Sequence, residues 1–299
     1  MAGRNEIIAT GFSGLIGSRL RELLSTEFEI TDLSKETGID ITDYDAVKAK
    51  LQSSKAQWVW HLAAYTDVQA AEKEQKLGRE SLAWKINVEA TVNLVNLCRE
   101  LGKRLLYLST DYVFAGDEKE PYSEEDQPSP QGWYAQTKYE GEKAVSELGK
   151  YSLIIRTANP YRANPLGKRD FVHKMLDRLR AGQVITAPAD QLFMPTWVDD
   201  LAMALKVLIE NNSFGIYHVA GKSVLSPLVA AQTIAQVFGL DASLVQAIKF
   251  TEFMKNRAPF PRYAVLKTAK IGQLGVGLHT FEEGLRCIKE QEKMAGGHE

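Results

Sequence analysis

Three side chains near the middle of the chain have the types and spacing needed to bring a proton to a carbonyl oxygen. Thr110 stands in the segment Leu108-Ser109-Thr110-Asp111-Tyr112-Val113-Phe114, Tyr134 follows it by 24 residues, and Lys138 lies four residues beyond Tyr134. On a helix that last spacing puts both side chains on one face. A phenol with its ordinary pKa of about 10 is a slow proton carrier near neutrality, and a fixed ammonium nearby favours phenolate and lowers that value. Lys138 is placed to supply this charge and to hydrogen-bond a nicotinamide ribose. Thr110 would donate to the oxygen on which negative charge collects as a hydride arrives. Many helices carry Tyr and Lys four apart, so the pair gains its weight from its order with Thr110 and with a glycine turn upstream.

That turn lies within Glu6 to Leu24. The apolar run Ile7, Ile8 and Ala9 breaks into Thr10-Gly11-Phe12-Ser13-Gly14-Leu15-Ile16-Gly17, after which Ile16, Leu20, Leu23 and Leu24 recur at helical spacing. The pattern is strand, glycine turn, helix. A dinucleotide needs such a turn because its pyrophosphate must approach unsatisfied N–H groups at a helix N-terminus, where the dipole favours an anion. Gly11, Phe12, Ser13, Gly14, Leu15, Ile16 and Gly17 are therefore the expected cofactor cradle, with Gly14 the position where a side chain would block the approach. Two residues fill each gap between the glycines, one more in the first gap than in the G-x-G-x-x-G fingerprint. A second strand, Phe28 to Thr31, is expected to end at Asp32, 21 residues past Gly11. An acid there would accept hydrogen bonds from the adenosine ribose and repel a 2′-phosphate, so NAD is the expected cofactor. NADP is the alternative, through Lys35.

Trp58 to Ala64 is a nearly continuous apolar run, as in a parallel strand covered on both faces. Ala63 and Ala64 at its end are small enough for a cofactor to lie against the backbone. His61, among apolar neighbours, reads as a hydrogen-bonded strand residue rather than a catalyst. A long amphipathic helix follows, with the stripe Ile86, Ala90, Leu94, Leu97, Cys98 and Leu101. Strand, helix and strand then alternate through Arg104 to Leu108, Tyr134 to Leu148 and Tyr151 to Arg156. This alternation predicts an α/β fold, a Rossmann-like doubly wound parallel sheet that holds ligands at the carboxyl ends of its strands. From about Ala163 the pattern loosens into a smaller, interleaved C-terminal substrate lobe. The expected division is a dinucleotide-binding domain over 1–162, with 192–220 returning to it, and a lobe formed by 163–191 and 221–299.

Composition narrows the classes. Of the 299 residues, 44% are apolar and 25% charged, the balance of an ordinary globular chain. A formal net charge of −2 gives no electrostatic reason to expect nucleic acid or an anionic membrane as partner. Cys98 and Cys287 are too few for a disulfide framework and are not spaced for metal, so no metal site is expected, and both read as buried thiols of a reducing compartment. The start, MAGRNEIIATG, holds no apolar run of signal-peptide length, and no stretch reaches about 18 consecutive apolar residues. The expected location is cytoplasmic.

These motifs resemble the extended short-chain dehydrogenase/reductase family and, within it, the dTDP-4-dehydrorhamnose reductase branch. The resemblance is carried by Ser109 to Phe114, by Tyr134 to Lys138 with Gly141-Glu142, by Ala63-Ala64-Tyr65-Thr66, by Asp190-Gln191 with Pro195-Thr196, and by Arg257 to Leu266. It implies catalytic roles for Thr110, Tyr134 and Lys138, and substrate contacts for Tyr112, Asn159 and Arg262. It also implies that Asp40-Ile41 borders the adenine, against helix capping as the competing use of Asp40. Asn87 would help hold the lysine through water, against a solvent-facing position. Two departures touch the substrate: Gln131-Gly132 stands where the branch usually carries Leu-Asn, and Asn159 where it carries a tryptophan. The function implied is NAD(P)H-dependent reduction of a carbonyl on a nucleotide-linked sugar, with a homodimer as a family-level expectation. One alternative is a sugar-nucleotide epimerase or dehydratase, although a dehydratase would usually want an acid pair beside the threonine and Thr110-Asp111 supplies one. Another is a regulatory subunit like the methionine adenosyltransferase beta subunit, because fold does not fix function.

Overall fold

The computed structural model of the chain describes residues 5–296. Met1 to Arg4, the head of the segment read above for a leader, and the last three residues of the expected lobe lie outside the described residues.

The first half runs β1 (Asn5–Thr10), α1 (Leu15–Leu24), β2 (Phe28–Leu33), α2 (Tyr44–Ser53), β3 (Trp58–His61), α3 (Val68–Glu74), the single turn α4 (Leu82–Trp84), α5 (Ala90–Leu101), β4 (Arg104–Thr110), α6 (Trp133–Ser146) and β5 (Ser152–Thr157). The second half adds β6 (Pro160–Tyr161), α7 (Phe171–Arg180), β7 (Ile185–Pro188), β8 (Leu192–Phe193), β9 (Thr196–Trp197), α8 (Val198–Glu210) and β10 (Gly215–His218). After these come α9 (Pro227–Phe238), β11 (Val245–Ile248), β12 (Tyr263–Ala264) and a C-terminal helix, Phe281–Gly296. Six strands pair in parallel in the order β10-β5-β4-β3-β1-β2. The chain steps outward from β1 to β2 and then crosses to β3 on the other side of β1. In an open α/β sheet the crevice left at such a reversal is where ligands bind.

Both faces of the sheet are covered, which is why its central strands are apolar runs rather than alternating ones. On one face Leu20 and Leu24 of α1 and Leu201, Leu205 and Leu208 of α8 pack on Ile7, Trp60, Leu106 and Ile155. On the other, Val47 and Leu51 of α2, Leu94, Leu97 and Cys98 of α5 and Val145 of α6 pack on Ile8, Val59, Leu105 and Ile154. Burying each such leucine removes apolar area worth about 1.5–3 kcal/mol. Among the described residues, no helix is long and apolar enough to cross a membrane.

A second core gathers Tyr161, Val172, Leu176, Phe193, Trp197, Ile234, Phe281 and Leu285. Around it the strand pairs are short: β6 with β9, β7 with β11 and β8 with β12. Polar straps join this core to α1. The buried Arg162 donates to Ser18 Oγ at 2.8 Å and to Glu22 Oε1 at 2.5 Å, both on α1.

Two strands run further than their apolar residues indicate, because a neighbouring strand offers ladder partners beyond the hydrophobic stretch. Ser109 and Thr110 pair with Arg156 and Thr157, so β4 continues to Thr110. Asp32 and Leu33 pair with Ala9 and Thr10, which places Asp32 inside β2 and not at its end.

Candidate active site

A cleft of about 670 Å³ opens at the carboxyl ends of β1, β3, β4 and β5. Its floor at β1 is the glycine turn. Gly11 has φ +76°, and a Cβ there would lie 2.5 Å from the Ala63 nitrogen, while a Cβ on Gly17 would lie 2.3 Å from the Gly11 oxygen. Those two glycines let the turn fold against its own backbone. Gly14 is different: a Cβ would come no nearer than 3.2 Å, to the Gly11 oxygen, and Gly14 is the N-cap of α1 with no side-chain cap and no acid in the first turn. The positive end of this helix is therefore left for an external anion.

Gly11, Ser13, Gly14, Leu15, Ile16 and Gly17 line the cleft. Phe12, expected with them, does not: its ring is buried in the sheet core, 6.2 Å from the Trp60 ring, because it follows β1 on the face covered by α1. Asp32 is the second correction. Being within β2, it lies outside the cleft wall, and its Oδ2 pairs with Arg21 at 2.7 Å and accepts from Ser34 Oγ at 3.1 Å. The wall at this end is Leu33, Ser34, Lys35, Glu36, Ile39, Asp40 and Ile41. Asp40 accepts from Thr42 N at 3.0 Å and pairs with Lys35 at 3.1 Å, while Asp43 caps α2 by accepting from Ala46 N at 3.1 Å. Ala63 and Ala64 line the cleft beside this end, as the sequence indicates.

At the ends of β4 and β5 the wall turns polar. Thr110, Asp111, Tyr112, Tyr134, Lys138 and Asn159 all line it. Ser109 Oγ, Thr157 Oγ1 and Asp111 Oδ2 are buried there without a hydrogen-bond partner among the described residues. Native interiors leave few such atoms unpaired, so three together in a cleft wall fit a site completed by a polar ligand. Thr110 Oγ1 donates to Asp111 Oδ1 at 3.0 Å and accepts from Tyr112 N at 3.3 Å. Burial pushes the Asp111 carboxyl up to about 7, against a partial lowering by the Thr110 hydrogen bond. Burial, with the Asp111 charge added, also holds the Tyr134 phenol above its ordinary value, while the Thr110 hydroxyl acts the other way.

Lys138 is buried, and burial brings its ammonium down to about 7 although Glu142 favours the charge. Its Nζ donates to the Leu108 carbonyl at 2.8 Å and sits 4.0 Å from the centre of the Tyr107 ring. The expectation that Lys138 depresses the Tyr134 pKa is therefore corrected. The helix brings both side chains to one cleft, but the strand-end carbonyl holds the ammonium, and burial dominates the phenol.

The supports of this face are buried. A π-helical turn over Lys85–Glu89 carries Asn87 inward, where its Nδ2 donates to Thr137 Oγ1 at 2.9 Å and its Oδ1 accepts from Tyr65 N at 2.8 Å. Asn87 is 1% exposed, which excludes the solvent-facing alternative, and these two hydrogen bonds brace α6 and the loop after β3. His61 bonds Thr10 Oγ1 at 2.7 Å and Thr91 Oγ1 at 3.0 Å, and burial lowers its pKa to about 3, so it serves as a strand residue. The start of α6 is tied down by Trp133, whose N donates to Glu72 at 2.9 Å and whose indole donates to Ser81 Oγ at 3.0 Å. Gly132 fits because a Cβ would lie 3.0 Å from the Pro259 oxygen.

Of the three expected substrate residues, two reach the cleft. Tyr112 meets the Tyr134 ring edge-on at 5.9 Å and stacks on Phe260 at 6.1 Å. Asn159 adopts φ +43°, a left-handed position that Asn tolerates better than the bulky residue of the branch. Arg262 lies outside the wall: its guanidinium pairs with the Asp190 carboxylate and donates through Nε to the Asp190 carbonyl at 2.9 Å. The sequence reading missed Ser109, Thr157 and the basic residues Lys168, Arg169 and Lys174 in the wall, and it used Asp111 only as an incomplete acid pair.

Residues 5–293 match the family described as RmlD substrate binding domain. The chain belongs to that family. Among its curated relatives, a dTDP-4-dehydrorhamnose reductase of Mycobacterium tuberculosis is 34% identical over 92% of this chain and 90% of its own length. A probable dTDP-4,6-dihydroxy-2-methyloxan-3-one 4-ketoreductase of Streptomyces antibioticus is 33% identical over 95% of this chain and 93% of its own. In fold, the chain is similar to the crystal structure of a Bacillus anthracis dTDP-4-dehydrorhamnose reductase in complex with NADP, with TM-score 0.88 and 31% identity over 97% of this chain and all of that one.

Proposed function

We infer that this family member is an NAD(P)H-dependent oxidoreductase of the extended short-chain type that reduces a carbonyl on a nucleotide-linked sugar, with a dTDP-linked 4-keto-6-deoxyhexose as substrate. The observation that carries this reading is the convergence of Thr110, Tyr134 and Lys138 on the cleft that also exposes the glycine turn. The relatives named above supply the substrate class.

The residues present fit a nicotinamide dinucleotide: an uncapped N-terminus on the ten-residue α1, Ala63 and Ala64 flat against the cleft, and unpaired hydroxyls at the ends of β4 and β5. When bound, the reduced cofactor supplies hydride to the carbonyl carbon. Tyr134, fully protonated across the neutral range, delivers the proton to the carbonyl oxygen. Thr110 stabilises the charge on that oxygen, and Lys138 anchors the ribose. Asp32, neutralised by Arg21, exerts less repulsion on a 2′-phosphate than a free carboxylate would, and Lys35 stands in the wall, so the reading covers NADPH as well as NADH. Asp111 is followed by Tyr112 and not by a second acid, which favours reduction over dehydration. The second core, with Lys168 and Lys174 in the cleft, is the substrate lobe in this reading. A cytoplasmic location, suggested by the free thiols Cys98 and Cys287, and a homodimer complete it.

The test is absorbance loss on incubation with a dTDP-4-keto-6-deoxy sugar and either reduced cofactor in turn. Stoichiometric oxidation with one of them is expected. No turnover with any nucleotide-linked keto sugar would sink the reading.

A further inference from the structure

The Thr110 hydroxyl has one hydrogen and two lone pairs. One lone pair accepts from Tyr112 N at 3.3 Å, and the hydrogen is given to Asp111 Oδ1 at 3.0 Å. With Asp111 ionised, nothing is left on Thr110 to donate to a substrate. The ionised form also leaves Asp111 Oδ2 buried and unpaired among the described residues, on a side chain 1% exposed overall. A buried carboxylate with no counter-ion and one oxygen left unpaired is costly in a protein. A neutral carboxylic acid removes the first conflict and eases the second, because Oδ2 is then an uncharged carbonyl oxygen. Its O–H fills the second lone pair of Thr110, and the Thr110 hydrogen turns free.

Resting on the reductase reading, we propose that Asp111 is a positioning residue that works as the neutral acid, donating to Thr110 so that Thr110 donates to the carbonyl oxygen under reduction. As hydride arrives at carbon, the π pair of the carbonyl collects on oxygen and takes the Tyr134 proton. The Asp111 proton stays in its hydrogen bond and is not consumed. An ionised Asp111 would add negative charge beside the oxygen where charge develops, and it would keep the one donor that could stabilise it.

The ionisable groups on the packed elements are Tyr112 on the same turn, Tyr134 and Lys138 on α6, and Arg156 on β5. Arg156 is committed to Glu142 at 2.7 Å, both side chains being 2% exposed. The Lys138 Nζ is turned to the Leu108 carbonyl. Lys168, Arg169 and Lys174 line the same cleft. Burial outweighs the lowering by the Thr110 hydroxyl and the backbone hydrogen bonds at Asp111 and Tyr112, and sets the Asp111 carboxyl at about 7.

The experiment has two arms. In the first, the carboxyl carbons of aspartate are labelled with carbon-13 in the full chain, and the Asp111 resonance is identified by its loss in Asp111→Asn. A midpoint near neutrality is expected; titration in the ordinary aspartate range, about 4, would overturn the proposal. In the second, kcat and KM are followed against pH. Asp111→Asn, whose amide still donates to Thr110, should retain most of kcat and lose the fall in rate that the unmodified enzyme shows as pH rises through about 7. Asp111→Ala should lose about 10²-fold in kcat with KM little changed, the scale of an oxyanion donor. The proposal is refuted if Asp111→Asn is as slow as Asp111→Ala, or if the alkaline fall survives in it, which would assign the fall to Lys138. An unmodified chain without turnover would refute the reductase reading alone, and the carboxyl resonance would still decide the state of Asp111.

Discussion

In the proposed reduction, Tyr134 meets the substrate as a loaded acid. Burial and the nearby Asp111 hold the phenol above its ordinary pKa, so the proton is present throughout the neutral range, and what limits its transfer is how well the receiving oxygen is stabilised. This suits reduction, the direction in which a proton is given. Replacing Tyr134 by Phe removes the hydroxyl but keeps the ring and its edge-on contact with Tyr112. A positioned general acid contributes about 10²–10⁴-fold, so kcat of Tyr134→Phe should fall by that factor. Cofactor affinity, read by titration of bound NADPH, should change little. Full activity with cofactor bound would remove Tyr134 from the mechanism.

At the scale of elements, the turn between β1 and α1 separates folding from binding. A Cβ at Gly17 would lie 2.3 Å from the Gly11 oxygen and 2.4 Å from the Phe12 Cα, both backbone atoms that have no easy way to move. Gly17→Ala should therefore lower the melting temperature, by strain of about 1–3 kcal/mol, and weaken cofactor binding with it. At Gly14 a methyl group would meet only the Gly11 oxygen, at 3.2 Å, a close contact relieved by a shift of a few tenths of an ångström, and the N-cap conformation, φ −78° and ψ 178°, is one that alanine adopts. Gly14→Ala should melt close to the unmodified chain yet bind the cofactor more weakly. Equal melting losses in the two variants would contradict this division. The turn was legible in the sequence because glycine spacing and helical periodicity act locally. Thr110, Tyr134 and Lys138 were legible for a similar reason, since strand ends and helix faces fix where side chains emerge. Asp32, Arg262 and the direction of Lys138 were not. Each is decided by a partner that spacing does not encode: Arg21 on the neighbouring helix, Asp190 in a distant loop, and the Leu108 carbonyl at the end of β4. The neutral-range Asp111 depends on burial, which comes only with the closed packing of α6 on β4.

The whole molecule has to hold its second core against the cleft, and one buried cluster does this with charge. His173 on α7 bonds Asp170 at 2.9 Å through Nδ1 and Glu292 of the C-terminal helix at 2.7 Å through Nε2. Asp170 also caps α7, accepting from His173 N at 2.9 Å, and Asp170, Phe171 and Lys174 line the cleft. Burial by itself would lower the imidazole pKa, but the two carboxylates outweigh it and raise the value to about 9. A raised pKa means that the folded chain holds a proton the unfolded chain releases at about 6.5. Its stabilisation is therefore complete below about 6.5 and is lost as pH rises through about 9. His173→Gln should cost about 1.5–3 kcal/mol at pH ~6, the scale of hydrogen bonds to charged groups. The gap to the unmodified chain should shrink steadily as the melts are repeated toward pH ~10, where the imidazole is neutral in both states. Because the cluster fixes the first turn of α7 at the cleft, the same variant should raise KM for the sugar nucleotide more than it lowers kcat. A stability gap that stayed constant across this pH range would mean that the clamp is held by packing and not by the charge on His173.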